Sequence, residues 1–145
     1  MRVFSFGTTF LFLLLAFSSG IHAQDKGLTG TWVSLTDNGR TEQTLTLRAN
    51  GGKCSAGKIF VRAKTEAENN NDGFSWKNVE EITVIEACFV DGMLIAECKS
   101  KENTSERYFN IDSENPQNIL ETDLDGEPLL MEGGKVVFIH QEIKK

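Results

Sequence analysis

From Gly30 onward the chain runs in short segments rich in Val, Ile, Leu, Phe and Thr, each closed by a break bearing Gly, Asn or Asp. No stretch offers the 3.6-residue apolar spacing of an amphipathic helix, so apolar groups must be buried by strands joined through tight turns. Strands are predicted over residues 30–36, 43–48, 58–65, 81–90, 93–100, 106–112, 118–124, 128–131 and 135–143, with 74–77 either a further strand or a lid segment. Breaks such as Asp37-Asn38-Gly39, Asp91-Gly92 and Gly133-Gly134 supply residues that tolerate positive φ. Sequential antiparallel strands leave two raw edges in an open sheet, and closing the sheet removes them. The expected fold is all-β, an antiparallel up-and-down β-barrel of about eight strands. A two-sheet sandwich is the alternative, but its Greek-key crossings need longer connections than these turns provide.

The clearest hairpin surrounds Asp91-Gly92, a dipeptide that favours a two-residue turn. That turn sets Val90 opposite Met93, Phe89 opposite Leu94, Ala87 opposite Ala96 and Ile85 opposite Cys98. One face then collects Ile85, Ala87, Phe89, Leu94, Ala96 and Cys98, while Val84 and Cys88 fall on the other. Cys88 and Cys98 on opposite faces cannot readily bridge. Three cysteines allow at most one intramolecular disulfide. Cys54 with Cys88 is the preferred pair, and Cys98 is read as a small core residue.

Residues 1–23 carry Arg2, then the apolar run Phe-Leu-Phe-Leu-Leu-Leu-Ala-Phe at 10–17, then Ser18-Ser19-Gly20 and Ala23. This is the pattern of a secretory signal peptide, and the apolar run falls short of the ~20 residues that span a bilayer. Residues 24–145 are expected to form one domain, secreted or periplasmic, with no membrane insertion after signal removal. A chain of 145 residues with net charge −6 suits a single core and repels nucleic-acid phosphates. Asn103-Thr104-Ser105 is an N-glycosylation sequon.

Loss of residues 1–23 leaves His140 as the last histidine. No histidine-based metal cluster or Cys-x-x-Cys site can then form, and no nucleophile motif lies near His140. With 21 acidic residues, carboxylate pairs arise by chance and indicate nothing. Asp123-x-Asp125-Gly126-Glu127 misses calcium-loop spacing and reads as a solvated turn. The expectation is a protein that is not an enzyme and uses no cofactor or metal.

Leu28-Thr29-Gly30-Thr31-Trp32 places a glycine two residues before a tryptophan at the first strand, and this resembles the GxW signature of lipocalins and related calycins. The resemblance implies that Trp32 plugs the closed end of the barrel and that Gly30 lets the chain pass close beneath it. It also implies a basic side chain over the tryptophan, for which Lys144 or Lys145 is the candidate. The same opening is more weakly similar to avidin. It departs from that family at Ser34, where avidins have asparagine, at Gly39-Arg40, where they have Gly-Ser, and in having only Trp32 and Trp76 to stack on biotin. A small periplasmic barrel that inhibits secreted proteases is a third relative in size and class.

A lid at 74–77 would set Phe74 and Trp76 over the barrel mouth, above Phe89, Leu94 and Phe109 on the wall. Otherwise Phe74 and Trp76 belong to an ordinary strand and pack inward. Leu45, Leu47, Ile59, Val61, Ile111, Val137 and Ile139 are further inward candidates. The expected function is non-catalytic binding of a small, partly apolar molecule. The alternative is a protein-interaction module, such as a protease inhibitor, that engages a protein partner through loops at one barrel end.

Overall fold

The computed structural model describes residues 27–66, 74–101 and 103–142. The expected signal peptide at 1–23, the loop tip at 67–73, and Lys144 and Lys145 lie outside the described residues. The strands are β1 (Gly30–Thr36), β2 (Thr41–Ala49), β3 (Cys54–Glu66), β4 (Phe74–Val90), β5 (Met93–Ser100), β6 (Asn103–Ile111), β7 (Ile119–Thr122), β8 (Leu130–Met131), β9 (Gly134–Lys135) and β10 (Val137–Gln141). Eight of them form a closed antiparallel barrel in the order β1-β10-β7-β6-β5-β4-β3-β2, with β2 pairing back onto β1. The fold is all-β and up-and-down. β8 and β9 make a separate ribbon inside the β7–β10 connection, so the strand expected at 128–131 is not a barrel stave.

Alternation along each strand sends one set of side chains inward. Trp32, Leu45, Leu47, Ile59, Leu94, Phe109 and Phe138 form the centre of that core. The β4–β5 turn uses Asp91 at φ 51° and Gly92 at φ 82°, conformations that tighten a hairpin into the native strand twist. Val90 then faces Met93, Phe89 faces Leu94 and Ala87 faces Ala96.

Beyond Ala87 the expected register fails. A bulge between Val84 and Glu86 puts Val84, not Ile85, opposite Cys98. Val84 is buried and Ile85 is 44% exposed. One extra residue in a bulge reverses the inward phase of everything past it, and two adjacent β-branched residues at 84 and 85 hide that reversal from the sequence. The last strand differs for a related reason. Val136 and Phe138 point inward, while Val137 is half-buried and Ile139 is 53% exposed. Four consecutive apolar residues at 136–139 carry no period of two, so their phase is undetermined until β10 pairs with β1 and β7.

Residues 74–77 are the start of β4. β5 joins β4 only from Thr83 onward, so residues 74–82 pair with β3 alone. β3 stays paired with β2 up to Ala63, so only residues 64–66 and their partners 74–76 extend past both neighbouring strands, roughly 10 Å of ribbon at ~3.3 Å per residue.

Candidate functional site

The two ends of the barrel interior differ in chemistry. At the end nearer Gly30, Trp32 is buried on β1 and its Nε1–H donates to the Gln117 carbonyl at 3.0 Å. His140, its cross-strand partner on β10, lies edge-on to the indole with ring centroids 5.4 Å apart. A Cβ at Gly30 would stand 3.0 Å from His140 Nε2 and 3.1 Å from the Trp32 ring, so only glycine leaves room for both rings. His140 therefore covers Trp32. It reaches this position because β10 pairs antiparallel with β1. Phe89, Leu94 and Phe109 are direct neighbours across β4, β5 and β6, and Phe109 packs edge-to-face on Phe138 at 5.6 Å. This end is sealed by apolar side chains.

Toward the β1–β2 turn the inner wall becomes polar. Arg107, two residues before Phe109 on β6, also points inward. Its Nε donates to Glu121 Oε2 at 2.8 Å and its Nη2 to Glu121 Oε1 at 2.7 Å, a two-pronged pair. Nη2 also donates to Gln43 Oε1 at 2.9 Å. β2 and β6 lie diametrically opposite in the strand order, so the Arg107–Gln43 bond crosses the lumen. The guanidinium rests over the aromatic pair, 5.8 Å from the Phe109 ring centre and 6.0 Å from that of Phe138. The Glu121 backbone is fixed on both sides, its N–H donating to Val136 at 2.9 Å and its carbonyl accepting from Leu129 at 3.0 Å.

Arg107 thus separates an apolar half of the barrel interior from an upper polar half, the cup. Val61, Glu80, Ile82 and Ser100 lie on the inward side of their strands toward this end and are half-buried, Val61 and Ile82 packing against the core. Ser100 hydrogen-bonds the Glu80 carboxylate at the rim. Ser34, paired with Gln43 across β1–β2, is fully buried, and its Oγ has no hydrogen-bond partner among the described residues. Cys98 is also buried on this wall, and burial raises its thiol pKa, with Arg107 opposing and Glu121 and Glu97 adding to the rise.

The candidate residues named from the sequence separate spatially. Phe89, Leu94 and Phe109 come together in the sealed half. Trp76 lies on the outer face, opposite Lys64 in β3, with the Arg62 guanidinium 4.9 Å from its ring centre. Phe74 opens β4, and its side chain lies outside the described residues. Cys54 and Cys88 are joined by a disulfide between β3 and β4. Asn103, Thr104 and Ser105 begin β6 and are exposed. Asp123 Oδ1 accepts from the backbone N–H groups of Asp125 and Glu127, each at 2.9 Å, the local side-chain bonding of an Asx-type turn. The polar cup itself went unread in the sequence. Its signal was phase: Ser34, Gln43, Arg107 and Glu121 each stand two residues from an inward apolar residue, namely Trp32, Leu45, Phe109 and Ile119.

No family model, curated protein or solved structure matches the chain.

Proposed function

We propose that this protein is a secreted or periplasmic, non-catalytic binding protein of lipocalin-like kind that holds a small, partly apolar molecule inside its barrel. Residues 1–23 are removed on export in this reading, and Asn103 takes the glycan in a host that glycosylates. The observation that carries the reading is the asymmetry of the inner wall. One end is closed by Trp32, His140 and the Phe109–Phe138 pair, and the other is half-buried and presents hydrogen-bonding groups. Ligand sites commonly combine apolar walls with a few placed polar groups in this way. Trp32 and Gly30 act as structural residues, and Phe89, Leu94 and Phe109 back the site.

A second reading rests on a different feature. The outer surface of β3 and β4 shows Phe60, Trp76 and Val79, at 43%, 37% and 60% exposure, which suits a protein-interaction module. Native mass spectrometry of the protein purified from its own source separates the two. A retained small molecule, lost on denaturation, is expected for a carrier. A retained protein partner, with the barrel otherwise empty, would overturn it.

A further inference from the structure

Resting on the small-molecule reading above, we infer that the barrel cup selects a molecule whose buried polar end is uncharged, such as an alcohol or amide, and rejects the corresponding carboxylate. Arg107 is the only cation at the cup floor among the described residues, and both oxygens of Glu121 already meet it at 2.7 and 2.8 Å. Its positive charge is spent within the wall. A carboxylate brought there would face Glu121 at short range in a partly desolvated site, with Glu80 as a second negative charge at the rim. Lys77, on the inward side of β4 at the barrel rim, is exposed and solvent-screened.

Hydrogen-bonding capacity nevertheless remains. Among the described residues, Arg107 Nη1 and Gln43 Nε2 have no acceptor and the buried Ser34 Oγ has no partner. Ser34 and Gln43 are direct cross-strand neighbours, a placement that sets their Cβ atoms ~5 Å apart. An orphan hydroxyl in a wall otherwise satisfied destabilises the empty protein, since a buried polar group without a bond loses its hydration for nothing. A ligand oxygen or amide that meets Ser34 and Gln43 supplies the missing bond and adds no net charge.

The test uses octanol, octanamide and octanoate as matched probes, titrated calorimetrically into the protein lacking residues 1–23. The wild type is expected to bind octanol and octanamide at least about tenfold more tightly than octanoate, a ratio on the scale of one hydrogen bond or one unpaired charge. Ser34→Ala is expected to weaken the neutral probes several-fold while keeping or raising the melting temperature of the empty protein. A merely structural serine would do the reverse. Glu121→Gln, which preserves shape and frees the Arg107 charge, is expected to turn the preference toward octanoate. Octanoate binding best to the wild type, or affinities indifferent to Ser34→Ala, would overturn the inference while leaving the carrier reading in place. Failure of all three probes to bind would remove both.

Discussion

Trp32 is held by two particular contacts, the Gln117 carbonyl and the His140 ring, and fits because Gly30 lacks a side chain. Gly30→Ala puts a methyl group 3.0 Å from His140 Nε2 and 3.1 Å from the Trp32 ring, at a φ of 156°, so one of the rings must shift. It is expected to lower stability by about 1–3 kcal/mol, read as a drop in denaturation midpoint at unchanged slope. Cys98 makes a pH-dependent contribution. Burial raises its folded pKa, so above ~8.5, the usual thiol value, the unfolded chain releases a proton that the folded chain keeps. The contribution is therefore complete below that pH and is lost as pH rises further. Chemical denaturation between pH 8 and 10 is expected to show a steeper fall for the wild type than for Cys98→Ala.

At the scale of elements, β4 shows how one inserted residue reassigns roles. Val84 is buried and Ile85 is exposed because the bulge lies between Val84 and Glu86. Val84→Ala is expected to cost about 2 kcal/mol and Ile85→Ala less than about 0.5 kcal/mol, and paired denaturant curves check the contrast. The opposite ranking would mean the register runs without a bulge. The same strand carries a second irregularity opposite Val61 and Arg62, close to where β3 parts from β2. A bulge beside an unpaired edge, together with Lys77, discourages pairing with other chains.

At the scale of the molecule, the Arg107–Glu121 pair and the Gln43 bond tie opposite walls across the lumen. Arg107→Met alone strands a carboxylate that is 9% exposed. It is expected to destabilise by about 3–5 kcal/mol, whereas Arg107→Met with Glu121→Met together lose far less, because no buried charge is left unpaired. Thermal unfolding of the two single variants and the double variant provides the cycle.

Strand class, the Asp91-Gly92 turn and barrel closure were legible in the chain because they depend on local grammar: β-rich runs, residues that accept positive φ, and edges that must be covered. Cys98 at an inward position followed from the same alternation. What the chain alone left open were phases and partners. The direction of Val84 against Ile85, and of Phe138 against Ile139, depends on which neighbour each strand pairs with, and runs of adjacent apolar residues fit either choice. That His140 meets Trp32, and that Arg107 reaches Gln43 from the far wall, depends on closure alone. Residues on diametrically opposed staves share no spacing along the sequence, and only the completed ring brings them within bonding distance.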